Sequence, residues 1–394
     1  MPPKRRFADR EVAKGPRPAP GIGVRFAAGL LIVAAVFAVA ELSLSLLPRV
    51  AGSSARSFIY VPPDIERGLY ERFMALRDPI VAWPLRFKRV DGQPAARPSP
   101  AFPGASEWCV TLYGDSFTYS DEVSNADAWG NVLARRLGCP VGNFGISGYG
   151  TDQALLWFAE NKPDHAPITV VGIYADNLQR NVNQYRYFIT GGEEMGLKPR
   201  FVLENGNLKL VPLPVLSYDQ LMDGLRDPRG IFPHEVFLPG SRFGQVVWSF
   251  PYTFSMVKLM RTDQAANYLN GRPTWVDFYR SDHESRALPT TVAIVEEFRR
   301  RSAPGKTVLT VLFPSASAYK LARSTGVSPL EPLAAALEAR GQRTRDLTTD
   351  LANYLGERSV CELMTEQEAC RGHYNINGNR VLADAVHRFL TANR

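Results

Sequence analysis

Apolar positions along this chain change their rhythm three times. Over residues 26–47 they run almost unbroken, interrupted by one acid, Glu41, and two serines. At 1.5 Å per helical residue, a run of about 20 residues crosses a hydrocarbon core, so it predicts one transmembrane helix. Over residues 48–105 the periodicity dissolves into Pro, Ala and Arg, ending in Pro98, Ser99, Pro100, Ala101, Phe102, Pro103 and Gly104. That composition predicts a linker or stalk, partly packed on the body through Phe58, Tyr60, Trp83 and Phe87. From Trp108 onward, short apolar runs alternate with stretches of helical spacing.

The alternation predicts strands at 109–113, near Val141, at Ile168–Tyr174 and at Thr307–Phe313, with a further strand-like stretch leading to Asp346. Between and after them, helical spacing falls at Trp129–Leu137, 153–160, about 329–340 and about 377–391, the last with Val381, Leu382, Ala385, Val386 and Leu390 as its stripe. The β-branched run Ile168–Tyr174 suits a strand buried on both faces. Alternating strand and helix predict an α/β domain over 106–394, a doubly wound parallel sheet in three layers. The rhythm breaks near Asn181 and resumes near Lys306, so an insertion at about 182–300 exceeds any ordinary loop. Inside it, Asn205 and Gly206 between apolar runs predict a hairpin. The aromatic stretch 237–260 predicts helices, either roofing the site or packing a core.

Hydrophobic residues at 45% and charged residues at 22% sit near globular averages and argue against a disordered or multi-span chain. Much of the net charge of +7 lies in Lys4, Arg5, Arg6, Arg10, Lys14, Arg17 and Arg25, which face few acids directly before the apolar run. Positive residues there keep the tail, residues 1–25, in the cytoplasm and put the body on the far side of a bacterial inner membrane. A cleaved signal peptide, processed near Ala38, Val39 and Ala40, is the alternative. The return of Leu42, Leu44, Leu46 and Leu47 exceeds a signal core of about 7 to 15 residues and favours the anchor. Either way the body is exported. No basic stripe with interleaved aromatics follows, so nucleic acid is not an expected partner.

The cysteines number 4 and form two local pairs, Cys109 with Cys139 and Cys361 with Cys370, though three pairings are open. They fit a compartment where disulfides persist. Their spacing and the scattered histidines argue against a metal.

Candidate chemistry centres on Ser116 in the run Gly114, Asp115, Ser116, Phe117, Thr118, directly after a predicted strand. A side chain there faces the crevice where open α/β sheets bind ligands. This run resembles the first block of the SGNH (GDSL-type) hydrolase family, whose serine is the nucleophile. The stretch Asn143, Phe144, Gly145, Ile146, Ser147, Gly148, Tyr149, Gly150 is similar to the block that supplies an oxyanion glycine, here Gly148. Tyr174, Ala175, Asp176, Asn177 resembles the third block with amide and carboxylate reversed. Asn177 is the expected oxyanion donor, since a carboxylate would repel an oxyanion, and Asn181 is a substitute.

The last block is matched by His373, Tyr374, Asn375, Ile376, Asn377, Gly378, Asn379, with His373 as the general base. His165 and His283 read as surface groups, and His387 lies in the last helix. In the family an aspartate precedes the histidine by two or three residues, where this chain has Arg371 and Cys370. Glu368, Glu366 or Asp350 could serve instead, or a backbone carbonyl could leave a Ser and His dyad. A bridge from Cys361 to Cys370 would pin the segment that carries His373. The resemblance implies an exported serine esterase acting through an acyl-serine on an acylated small molecule or surface glycan, with Ser116 NH, Gly148 NH and Asn177 holding the oxyanion and no cofactor. The alternatives are a polysaccharide O-acyltransferase and a catalytically silent glycan-binding protein on the same scaffold.

Overall fold

A computed structural model of the chain describes residues 21–50, 57–83, 89–90, 93–162, 164–192 and 195–392. Most of the basic tail, and Phe87, lie outside the described residues. The apolar run forms one helix, α1 (Ile22–Ser45), continuous in hydropathy to Val50 and long and apolar enough to cross a membrane.

Five strands build one wholly parallel sheet: β1 (Val110–Tyr113), β2 (Val141–Asn143), β3 (Ile168–Tyr174), β6 (Thr307–Phe313) and β7 (Arg343–Asp346). Its order is β7-β6-β3-β1-β2, with β3 paired to β6 along its whole length. Helices cover both faces, as a doubly wound sheet requires. One face carries α4 (Thr151–Glu160), α8 (Ala287–Arg301) and α10 (Glu331–Glu338). The other carries α3 (Trp129–Leu137), α11 (Thr348–Leu355) and α12 (Ile376–Thr391). Two apolar clusters follow, one around Trp157, Leu155 and Phe298, the other around Trp129, Leu382 and Val386. The strand order reverses between β1 and β3. In open α/β sheets ligands bind at that switch point, beyond the carboxyl ends of the strands.

Several features depart from the sequence expectation, and α11 is one that it lacked. A helix absent from it, α9 (Ala316–Thr325), is capped by Ser315, whose hydroxyl accepts from Ala318 N at 3.0 Å, and ends on Gly326 in the left-handed region. Helix α8 reclaims residues 287–300 from the insertion, because Leu288, Val292, Val295 and Phe298 bury against the layer of α4. In the aromatic stretch 237–260 only α6 (Tyr252–Met260) is helical, and it packs on α1.

The hairpin in the insertion pairs β4 (Arg200–Glu204) with β5 (Asn207–Val211), and Asn205 and Gly206 both take positive φ, as a two-residue turn of this hand needs. The insertion is tied to the core by Lys198, fully buried. Its ammonium donates to Asp152 Oδ2 at 2.5 Å and to the carbonyls of Arg180, Asn183 and Pro199. The stalk docks as well: Ile59 and Tyr60 pair in parallel with Val246 and Val247.

Candidate active site

The nucleophile turn is set by two residues before Ser116. A Cβ on Gly114 would lie 2.1 Å from Thr118 Oγ1 and 2.6 Å from the Gly172 carbonyl, so only glycine lets the chain turn there. Asp115 then caps the short helix α2 (Ser116–Tyr119), accepting from Phe117 N at 2.9 Å and Thr118 N at 3.4 Å. Ser116 opens that helix, where backbone N–H groups lack helical partners. It is buried and stands at the carboxyl end of β1, beside the switch point.

The two other expected oxyanion donors follow the neighbouring strands. Gly148, after β2, has φ +78, a conformation costly for other residues, and a Cβ there would meet the Trp83 indole at 3.5 Å. Trp83 Nε1 donates to the Ser147 carbonyl at 2.9 Å, so the stalk reaches the turn that carries Gly148. Asn177, three residues beyond β3, begins α5 (Asn177–Asn181) and is fully buried, and neither its Nδ2 nor its Oδ1 has a protein partner. A buried amide left unpaired costs about 1–3 kcal/mol. Asn181 is occupied elsewhere, accepting from Asp152 N and donating to Thr291 Oγ1.

One side chain the sequence reading passed over joins these loops. Arg180, buried, donates to the Tyr149 carbonyl at 3.1 Å and to Asp176 Oδ2 at 3.0 Å, and its Nη1 lies 3.8 Å from Asp115 Oδ2. A single guanidinium thus ties the loops after β1, β2 and β3 that carry Ser116, Gly148 and Asn177. Burial pushes the Asp115 carboxyl up to about 6, with Arg180 opposing it and Asp176 adding to it.

His373 lies on a short strand, β9 (Arg371–Tyr374), paired antiparallel to β8 (Met364–Glu366), rather than in an open loop, and α12 follows from its cap Asn375. Its ring centroid is 4.8 Å from that of Phe117, the residue after Ser116, which brings the His373 ring beside the short helix that Ser116 opens. The bridge Cys361–Cys370 closes beside this strand, and Cys109–Cys139 closes beside β1 and β2.

The three acids considered for His373 are engaged elsewhere or exposed. Glu366 pairs with Arg371 at 2.6 Å, Asp350 with Arg345 at 2.7 Å and Arg388 at 3.0 Å, and Glu368 is exposed. The acid at the ring is Glu122, six positions after the nucleophile. Its Oε1 lies 3.2 Å from His373 Nδ1, and its Oε2 accepts from the Thr365 hydroxyl and, at 3.4 Å, from the His373 amide. Nδ1 is buried and makes no aligned hydrogen bond, so the Glu122 contact is a close approach that becomes an ion pair only when the ring is protonated. The Thr365 hydroxyl first, then the His373 ring and amide, hold the Glu122 carboxyl below its ordinary range against a smaller desolvation penalty. With Nδ1 turned to a carboxylate, Nε2 is the nitrogen left to take a proton. One sequence signal marks Glu122, an acid in the loop after Ser116, while its φ of +69, a conformation a glutamate rarely adopts, is visible only in the fold.

Among the described residues no group of three or more His, Cys, Asp or Glu is arranged to hold a metal. A cleft of about 500 Å³ in the insertion, lined by Arg242, Asp263, Asn267, Asp277 and His283, includes none of these site residues.

No protein-family model matches the chain, and no curated protein does. Among solved structures it is similar to a member of the lipolytic protein G-D-S-L family from Veillonella parvula, at 10% identity and a TM-score of 0.32, over 72% of this chain and 97% of that one. It is also similar to an acetylxylan esterase from Geobacillus stearothermophilus, at 12% identity and a TM-score of 0.36, over 75% of this chain and 96% of that one. The site assignment stands on the chain's own geometry.

Proposed function

We propose that this chain is an SGNH-type serine enzyme acting on ester bonds, anchored by α1 with its body outside the cytoplasm. The observation that carries the reading is that Ser116 stands at the switch point of the sheet while the His373 ring, beside Glu122, packs 4.8 Å from the ring of the adjoining Phe117. In the reaction His373 Nε2 takes the Ser116 proton as the oxygen attacks the ester carbonyl, and Glu122 steadies the imidazolium that results. Ser116 NH, Gly148 NH and the Asn177 amide would hold the oxyanion, and collapse expels the alcohol with the proton returned by His373. Water as the second acceptor completes hydrolysis, and a sugar hydroxyl would complete O-acyl transfer.

Export is supported by the basic tail before α1 and by two disulfides. Trp83 beside Gly148 offers an aromatic face suited to a sugar ring, which supports an acylated glycan as substrate. The test is p-nitrophenyl acetate turnover by the full-length chain in detergent, beside Ser116→Ala and labelling by a fluorophosphonate. Turnover should fall by roughly 10³-fold or more in the variant. Labelling should occur only with Ser116 present. A wild-type chain that neither turns over ester nor takes the label defeats the reading. Adding an acceptor oligosaccharide separates transfer from hydrolysis.

A further inference from the structure

The last turns of α1 hold a carboxylate where a membrane helix should have none. Glu41 is 6% exposed, and its Oε2 accepts from Tyr252 N at 2.5 Å while its Oε1 accepts from Thr253 N at 2.9 Å and Thr253 Oγ1 at 2.6 Å. The acid therefore caps the first turn of α6, and α6 shields it from lipid. Three residues on, the Leu44 carbonyl accepts from Trp248 Nε1 at 3.1 Å. These contacts fix the depth of α6. Glu41 lies six residues inside the end of the apolar run, or about 9 Å at helical rise, and interfacial helices bury their apolar faces by about 5–10 Å.

The outward face of α6 has the chemistry that depth demands. Ser255 turns inward, bonded to the Val247 and Ser249 carbonyls, while Phe254 and Val257, one turn apart, stay exposed with Met260 and the preceding Phe250. Phe250 and Phe254 are 69% and 66% exposed, too much aromatic surface to leave in water beside a membrane anchor. Lys258 and Arg261 stand at the far end, where long cationic side chains reach headgroups. The following helix, α7 (Asp263–Leu269), continues the face with exposed Tyr268 and Leu269.

We infer that α6 and α7 form a membrane-embedded foot, with the lipid bilayer as occupant of this apolar face, so that the body is held against the membrane rather than swinging on a stalk. This rests on α1 crossing the bilayer. The Trp248 indole, buried and bonded to the Leu44 carbonyl, and the buried Glu41 contact then set the tilt of the enzyme on its support.

The test uses the full-length chain in phosphatidylcholine and phosphatidylglycerol vesicles. The chain has 6 tryptophans, at 83, 108, 129, 157, 248 and 275, and none lies in α1. Lipids brominated near the top of the acyl chain should quench wild-type tryptophan emission, and Trp248→Phe should remove most of that quenching. Because the native cysteines are all disulfide-bonded, single thiols can also be introduced by Phe254→Cys, Val257→Cys, Val33→Cys and, as a control on the α/β body, Val327→Cys.

Fluorophores at 254 and 257 should be quenched by doxyl lipid roughly twofold or more over the control and shielded from aqueous iodide, as expected for an interfacial face. Iodide quenching at 254 and 257 equal to that at 327, with Val33 lipid-quenched, overturns the foot and leaves the span intact. Loss of lipid quenching at Val33 overturns the span and the foot together. The tryptophan measurement needs no engineered thiol, so misfolding of a cysteine variant does not decide the outcome.

Discussion

The two halves of the candidate site are built by different physics. The nucleophile half is buried: Ser116 and Asn177 are enclosed, Asp115 is fully covered, and Arg180 clamps three loops at the carboxyl ends of adjacent parallel strands. The histidine half is at the surface, where Glu122 is 47% exposed and His373 is steadied by a carboxylate, the Thr365 hydroxyl and a nearby disulfide. Burial removes water from the dipoles that must meet an oxyanion and leaves them preorganised, at a cost in stability. Exposure leaves the base free to move with each proton and makes its partners replaceable. Damage to the bonded groups of the first half should therefore reach stability and rate together, and damage to the second should reach rate alone.

The most severe break is at Arg180. Arg180→Met strands Asp115 and Asp176 near one another without their shared cation, and uncompensated charge inside a protein costs about 3–5 kcal/mol. Thermal denaturation should show a large fall in Tm, together with loss of turnover. A Tm within error of wild type would show that the clamp does not hold the loops.

Asn177→Ala separates stability from rate within the buried half. The amide makes no protein hydrogen bond, so truncation relieves a desolvation cost that opposes the packing lost. Tm should change little or rise, while kcat falls by roughly 10²–10³, the usual effect of one oxyanion donor. A large fall in Tm with kcat retained would make Asn177 a packing residue.

At the surface half, Glu122→Gln keeps shape and removes charge. Exposed pairs contribute only about 0–1 kcal/mol, so Tm should hold. Turnover should drop roughly 10- to 100-fold, below the loss of about 10⁴ seen where a buried carboxylate orients the base. Equal turnover for the variant would point to a dyad without an acid partner.

What the sequence made legible follows the same division. Strands buried on both faces carry unbroken apolar runs, so Ile168–Tyr174 and Thr307–Phe313 read with their full bounds, as did helix Trp129–Leu137 with its amphipathic spacing. Helix α9 escaped because small and polar residues dominate it, and only Ser315 and Gly326 mark its ends. Ser116, Gly148, Asn177 and His373 stand in local runs of residues that the turns themselves require, which is why the sequence alone could nominate them. Glu122 was not, since it meets His373 across 251 positions through a backbone conformation that no side-chain pattern announces. Arg180 hid for a related reason: its partners are two carboxylates and a carbonyl on three loops, and nothing in its neighbours along the chain signals that convergence.

The last expected effect lies in pH, and it tests whether the two acids near Ser116 belong to different environments. Asp115 titrates in the folded chain at about 6, above its ordinary 3.8, chiefly because burial disfavours the charge. The folded chain then binds this proton more tightly than the unfolded chain, so stability falls as pH rises from about 4 to about 6 and is flat above. A shift of about two units corresponds to at most roughly 3 kcal/mol. Glu122 has the opposite sign: its carboxyl is held below the ordinary 4.5, so its contribution is present above that value and lost as pH falls further. The windows barely overlap. Denaturation of wild type and Asp115→Asn at pH 4.5 and 7 should show the wild-type decline and its disappearance in the variant, which keeps an acceptor for the Phe117 and Thr118 amides. A decline of equal size in both chains would place the titrating group elsewhere and remove Asp115 from the buried half's electrostatics.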